Sequence, residues 1–349
     1  AIHLMKINTR NPFVGLEIVN NGTVTSKNTV SAMAAQHDAS GHKVIGAVNL
    51  DFFSANGTPT GLQISDGEII TASNLGRTYL AVMADGSVRL GGALTIETYV
   101  GTDDADSDLQ VFAVNKAREA RRTDHAFLMT DEFGATTLSD GDGVEVLIAP
   151  EVPGTELKAG VPVRGTVEAI YQTNDNPIPE GKFILSASGS KADWIQQQLS
   201  IGSAVTFGVN LGDGLNDATA AVAGWSGLAK VLLHDGEIDP GVDDSSVNNV
   251  TNDNPRTFLA SKNNDLYLVT FDGRQPGYAD GVSLREGAAY LQALGMEEAI
   301  NVDGGGSTTF LLRPAANGEL TVMNSPSDGA ERQVGNALLV VTTHPHFSK

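Results

Sequence analysis

The sequence predicts an α+β fold, a strand-rich mixed sheet core with few helices, and three observations point to it. The commonest local pattern is a short run of Val, Ile, Leu, Thr or Phe, an Asp-Gly pair, and a second such run, the pattern of a β-hairpin. Only two stretches repeat apolar residues at helical spacing. No uninterrupted apolar run approaches the ~20 residues of a membrane helix. With 349 residues the chain can enclose a full core, as one large domain or as a domain carrying an inserted lobe.

Taken in order, the hairpins are Leu62 to Ile70 around Asp66-Gly67, Tyr79 to Leu90 around Asp85-Gly86, and Val231 to Ile238 around Asp235-Gly236. A further one joins Thr257–Ser261 to Leu266–Phe271 through Lys262-Asn263-Asn264. The polar, acidic stretch Thr102 to Asp108 marks a boundary or an exposed loop. After it comes a block of strands with its own turns, Asp140-Gly141-Asp142-Gly143 and the Pro/Gly-rich Asn174 to Gly181. The expected organisation is therefore a main domain of residues 1–100 and 211–349 with an inserted β-rich lobe at 101–210. One helix is expected over roughly Lys191 to Leu199, anchored by Trp194 and Leu199. The other runs from near Ser283 to Leu294, where Leu284, Ala288 and Leu291 recur at spacings of four and three and Gly295 supplies a stop.

Acidic residues outnumber basic ones by 42 to 22. The summed field repels polyanions, and the basic residues read as too scattered for a phosphate-tracking stripe, so nucleic acid is not an expected partner. There are no cysteines, which removes disulfides, thiolate metal sites and thiol nucleophiles and leaves the compartment open. The chain opens on Ala1 rather than Met and is rich in Asp, Asn, Thr and Gly. This reads as a secreted or cell-envelope protein whose leader has been removed, with an acidic cytosolic enzyme as the alternative.

The most unusual segment is Ala299-Ile300-Asn301-Val302-Asp303-Gly304-Gly305-Gly306-Ser307-Thr308-Thr309-Phe310. An apolar strand runs straight into an acid and three glycines, so backbone amides can approach a ligand that side chains would block. Ser307 and Thr308 add hydroxyls, and Asn301 and Asp303 add polar groups on the strand. The plain alternative is a hairpin turn that needs glycine only for positive φ.

This segment closely resembles the signature of the phosphodiester glycosidase family, and further motifs match in order. Ala47-Val48-Asn49-Leu50-Asp51-Phe52-Phe53 resembles the family's early strand, and Pro59 to Gly67 its next hairpin. Pro255-Arg256-Thr257 and Asp272-Gly273-Arg274 resemble the motifs that open and close the penultimate hairpin. Ser283 to Gly295, with Glu286, resembles the helix before the glycine turn; Ser325 to Asp328 and Arg332-Gln333-Val334 resemble the closing segment. The resemblance covers about Val44 to Leu90 and Gly224 to Val341, with only Ile178 to Ser186 matching between. At Asp51 the family's mammalian member has glycine.

The resemblance implies hydrolysis of a sugar-1-phosphodiester in a bacterial glycan, on a carbohydrate or glycan-phosphate substrate, releasing sugar and a phosphomonoester. Phosphate is a good leaving group, so charge stabilisation matters more than a general acid. Arginine suits that task because its planar fork binds two oxygens and keeps its charge. On this reading Arg256, Arg332 and the amides of Gly304 to Gly306 hold the phosphate. Asn49, Arg274, Asn301, Ser307 and Thr308 complete the substrate contacts. The oxocarbenium-like transition state needs a carboxylate, and Asp303 comes first, then Glu286, then Asp51 and Asp272.

Each assignment has a structural rival. Ser283-x-x-Glu286 fits a helix capping box, Asp272-Gly273 fits a turn, and Arg256 and Arg332 fit ordinary surface arginines. Asn49 fits a strand-end cap, and Phe52-Phe53 fits the core. Neither a metal nor a cofactor is expected at the site. His37, His42, His125 and His234 lack ligand spacing. Asp104-x-Asp106-x-Asp108 begins like a calcium loop, but Leu109 and Asn115 stand where its Gly and Glu belong, so a solvated loop is the favoured reading and a structural calcium the alternative. Two other functions stay open: a glycoside hydrolase acting on a non-phosphorylated polysaccharide, and a non-catalytic glycan- or envelope-binding protein.

Overall fold

A computed structural model describes residues 1–103, 106–225, 231–243, 250–316 and 318–347. Its architecture is α+β and strand-rich, with three α-helices among the described residues: α1 (Val30–His37), α2 (Ser190–Gln198) and α3 (Leu284–Ala293).

The Asp-Gly hairpins form where the sequence places them. Asp66 and Gly67 are both left-handed (φ 50° and 81°), as are Asp235 and Gly236 (51° and 77°). This is the turn whose twist matches that of paired strands. The last hairpin joins Arg256–Lys262 to Asp265–Phe271 through a two-residue turn, Asn263-Asn264, with Lys262 paired to Asp265 inside the ladder. Asparagine tolerates the left-handed region at both positions (φ 52° and 62°). Helix α1 has no counterpart among the expected elements; Thr29 caps it by accepting from Ala32 N.

Three sheets carry the molecule. A six-stranded sheet holds Ile2–Ile7, Asp265–Phe271, Arg256–Lys262, Glu298–Asn301, Leu233–His234 and Glu237–Ile238 in that order. A five-stranded sheet holds Val14–Val19, Ala337–Thr342, Lys43–Asn49, Phe310–Leu312 and Thr321–Val322. Apolar side chains from both, with Leu80, Val82, Ala220 and Val222 from the third sheet, meet in one core around Val48, Leu50, Ile300 and Val302. That core fixes where the ends of Lys43–Asn49 and Glu298–Asn301 emerge.

The third sheet has thirteen strands and runs from Val88–Gly91 to Leu109–Val111. It includes the block 101–210, entered by pairing Ala113–Val114 against Ser73 and Ala72. The chain leaves along Ile96–Gly101 and returns along Ala204–Leu211, and these two strands pair antiparallel, Ile96 opposite Leu211. Because Leu109–Val111 passes through Phe112 directly into Ala113–Val114, the sheet closes on itself around an apolar filling that includes Val100, Val146, Val163 and Phe207. The parallel pairing of Ala113–Val114 with Ala126–Met129 makes it a mixed sheet.

Candidate active site

Two strand ends from different sheets meet at the site. Beyond Glu298–Asn301, the amide of Asp303 donates to Leu50 O (2.8 Å), just past the strand Lys43–Asn49. Asn49 completes the junction. Its Nδ2 donates to Asp303 O (2.6 Å), while its Oδ1 accepts from Thr257 Oγ1 (2.8 Å) and Thr309 N (3.1 Å). Asn49 is wholly buried, so it acts on the turn's shape, whereas the sequence reading had it touch substrate.

The glycine turn is a short 3-10 segment, Gly305–Ser307. A Cβ on Gly305 would lie 2.9 Å from Arg274 Nη1, and its φ of +60° disfavours any side chain there. A Cβ on Gly306 would collide with the Arg332 guanidinium and the Asp328 carboxylate. The glycines thus let two guanidinium groups lie against bare backbone. The expectation that the Gly304 and Gly305 amides are available to an anion meets a correction, since both are engaged. Gly304 N donates to Asp303 Oδ1 (2.8 Å) and Gly305 N to Pro255 O (2.9 Å).

Two carboxyls here stand apart from ordinary acids. Burial pushes Asp303 up to about 6, against the opposing pull of the Gly304 amide, Arg332 and Arg274. The residue keeps some access to solvent although its carboxyl is largely enclosed. Ser307 lies beside that carboxyl, yet its hydroxyl completes no hydrogen bond of normal geometry. Burial likewise pushes Asp51 up to about 6, opposed by Arg77 and by the amides of Gly61 and Phe52. Gly61 N donates to Asp51 Oδ2 at 2.7 Å, and Arg77 Nη1 lies 3.8 Å from Oδ1.

The other two predicted acids are occupied differently. Asp272 is buried and accepts from Tyr278 Oη (2.9 Å) and Ser325 N (3.1 Å), tying the segment after the Asp265–Phe271 strand to the closing segment. Glu286 is exposed at the start of α3, where Oε2 accepts from Ser283 N (2.9 Å) and Ser283 Oγ in turn accepts from Glu286 N (3.2 Å). These bonds hold its carboxyl below the ordinary range.

The arginines divide in the same way. Arg274 sits in the left-handed region (φ 56°) and anchors through Nε to Asn254 Oδ1 (2.9 Å). Arg332 pairs with Asp328 (2.7 Å). Arg256 is buried and donates to Val282 O (3.1 Å) and Asn252 O (2.8 Å). Burial, reinforced by Arg274, lowers it to about 10, so it stays charged at neutral pH. Its guanidinium braces the loops around the turn, where sequence reasoning had it grip phosphate.

Several buried polar atoms have no hydrogen-bond partner among the described residues, including Asn301 Oδ1, Ser307 Oγ and Thr308 Oγ1. Buried polar atoms are rarely left so, and clusters of them mark places built for a polar ligand. Sequence reasoning missed two neighbours, Arg77 and Trp225. The Arg77 guanidinium lies 4.8 Å from the Trp225 ring, and Trp225 exchanges hydrogen bonds with Asn301 (2.9 and 2.7 Å). One of only two tryptophans, next to Gly224, was the signal available.

His234, Asp235 and Glu298 bring ligand atoms within 4.8 Å of one another, but at the far end of the Glu298–Asn301 strand. Of the calcium-like acids, Asp104 lies outside the described residues. Asn115 is buried and bonded to Ile70 O and Thr130 Oγ1.

A sequence model of the phosphodiester glycosidase family matches residues 158–341, just over half of the chain and including the glycine turn. The chain belongs to the phosphodiester glycosidase family. The match takes in part of the block 101–210, while the Asn49 to Phe53 motif lies outside it. No curated relative matches the chain. Among solved structures, it is similar to a hypothetical protein from Synechocystis (TM-score 0.72, 19% identity, 98% of this chain and 59% of that one). The chain thus spans about three-fifths of that protein's length. It is also similar to the "Putative exported protein" of Burkholderia pseudomallei K96243 (TM-score 0.73, 20% identity, 97% and 73%). A third likeness is the zebrafish N-acetylglucosamine-1-phosphodiester α-N-acetylglucosaminidase catalytic domain, auto-inhibited by its pro-peptide (TM-score 0.46, 14% identity, 97% and 82%). At these identities the first two establish the fold of the chain and nothing finer. No helix of the described residues is long and apolar enough to cross a membrane.

Proposed function

We propose that the chain hydrolyses the glycosidic bond of a sugar-1-phosphodiester in a bacterial glycan outside the cytoplasm, on a domain of residues 1–100 and 211–349 with 101–210 as an inserted lobe. The observation that carries this reading is the arrangement at the turn: an enclosed carboxyl, Asp303, that feels the charges of Arg274 and Arg332, which lie against glycines with no side chain to keep them away. Two guanidinium groups accept the negative charge of a departing phosphate. Water attacks the anomeric carbon, the bond from that carbon to the phosphate oxygen breaks, and the phosphomonoester leaves with the bonding pair. Ionised Asp303 takes the water's proton. Asn301, Ser307 and Thr308 bind the sugar with their unpartnered polar atoms. Asp272 and Glu286 serve by holding loops and the α3 start in place. The exported neighbour supports the location.

Hydrolysis in oxygen-18 water tests the bond cleaved: label on the sugar upholds the reading, and label on phosphate overturns it. Because Asp303 must be ionised, kcat/KM is expected to rise with pH through about 6 and then level off.

A second reading rests on Asp51, which burial also holds protonated up to about 6. A carboxyl of that kind can donate a proton to a departing sugar, the requirement of an ordinary glycoside hydrolase. In that case the rate falls again above about pH 6, and a methyl glycoside without phosphate is cleaved as well as the phosphodiester.

A further inference from the structure

The segment Lys116-Ala117-Arg118-Glu119-Ala120-Arg121-Arg122 places four cations within seven residues of a chain whose net charge is −20. The sequence reading, which took the cations as scattered, passed over it. Arg118 is fully buried and donates to the carbonyls of Asp140, Gly141 and Asp142 and to Ser186 and Asn174, a structural brace. Arg121 pairs with Glu119. Lys116 and Arg122 are in no ion pair among the described residues.

Their position follows from the pairing of Ala113 with Ser73 and Val114 with Ala72, from which the loop continues at Asn115. There Lys116 feels the repulsion of Arg122 and Arg77 and the attraction of Asp51, and its ammonium is held below the ordinary lysine value chiefly by burial. Arg77 Nε and Nη1 are buried without a hydrogen-bond partner. Further out, the Arg122 guanidinium lies 4.8 Å from the Phe112 ring. Phe112 in turn lines a hollow of about 500 Å³ together with His125, Lys191, Asn74, Gln110 and Glu97. The buried Nδ1 of His125 has no partner. Asp124, also at the hollow, is already held by Ser190 N (2.7 Å) and Oγ (2.6 Å). Cations, an aromatic face and amide side chains in sequence are what alternating phosphates and sugars need.

We propose that the substrate is a polymer of sugar phosphates and that Arg77, Lys116, Arg122 and Lys191 hold the phosphates of units beyond the bond that is cut, with Phe112 against an intervening sugar. This rests on the phosphodiester reading above and extends it from a single linkage to a chain. It also accounts for how so acidic a protein retains a polyanion: the attraction is local, along one side of the lobe, while the remaining surface repels.

The test compares glucose-1-phosphate methyl ester with an oligomer of about ten glucose-1-phosphate units on the full chain and on Arg122→Gln/Lys191→Gln. For the double variant the expected result is a KM for the oligomer raised about tenfold and a flatter salt dependence, with kcat/KM on the methyl ester within about twofold. Equal losses on both substrates, or no loss on the oligomer, overturn the proposal while leaving the phosphodiester reading in place. If the wild-type chain cleaves neither, that reading fails, and fluorescence anisotropy of the labelled oligomer decides this one separately. Salt-dependent binding that the double variant loses upholds it. Absence of binding, or equal binding of a single-stranded oligodeoxynucleotide, overturns it.

Discussion

At the scale of single residues, the site carries a thermodynamic signature that does not depend on knowing the substrate. Asp303 has a folded value of about 6 against an ordinary 3.8. A group whose value is raised on folding contributes stability that is present below the unfolded value and is lost as pH rises through the folded one. Between pH 4 and pH 7 this carboxyl therefore withdraws up to about 3 kcal/mol, nearer 1–2 because the residue keeps some contact with water. Asp303→Asn removes that titration while retaining an acceptor for Gly304 N. The variant is expected to gain on the wild type by that amount in urea unfolding at pH 7 relative to pH 4, and to lose turnover. A variant equally destabilised at both pH values would show that Asp303 is an ordinary packed residue. Asp51→Asn should behave alike, with a smaller gain because Arg77 loses the Asp51 carboxylate beside it.

At the scale of elements, the glycine turn and the start of α3 make opposite predictions. Gly305→Ala forces a side chain into φ +60° and within 2.9 Å of Arg274 Nη1. The backbone strain is worth only about 1–2 kcal/mol, but displacing the guanidinium removes a charge from the site. A fall in kcat/KM of about tenfold or more, with the protein still folded, is the expected outcome; an unchanged rate would separate Arg274 from the chemistry. Glu286→Ala removes one half of the capping box and should cost about 0.5–2 kcal/mol of stability with turnover within about twofold. Loss of turnover without loss of stability would return Glu286 to the catalytic group.

These elements also show what a sequence can reveal. Asp-Gly and Asn-Asn turns, the capping box and the glycine run are local signals, each complete within a few residues, and the hairpins and α3 follow from them. Helix α1 was illegible because eight residues of Val-Ser-Ala-Met-Ala-Ala-Gln-His make too few turns to show a period. Arg77 and Trp225 were illegible for another reason. They become neighbours only because Gly224 lies opposite Thr78 in an antiparallel pair 146 positions apart in the chain, a register no single sequence announces. Asn49 and Arg256 were found, but whether a polar side chain faces ligand or backbone depends on neighbours that arrive from other sheets.

At the scale of the whole molecule, the block 101–210 begins and ends on neighbouring strands and packs into the rest of the chain. Its chain ends are adjacent, since Ile96–Gly101 and Ala204–Leu211 pair along their lengths. Yet its filling is continuous with Leu62, Ile64, Tyr79, Met83, Ala221 and Ala223 outside it. A shared apolar core couples two parts of a chain, because neither can open without exposing the other's surface to water. The two tryptophans report on the two parts separately: Trp194 lies on α2 within the block, and Trp225 stands beside Arg77 outside it. Heating Trp194→Phe and Trp225→Phe while following the remaining indole should therefore give midpoints that coincide once each variant's own stability is matched by calorimetry. Midpoints separated by several degrees, with the Trp194 signal lost first, would mean that the lobe opens independently. In that event the cations it contributes would meet a polymer on a mobile arm and not on a fixed surface.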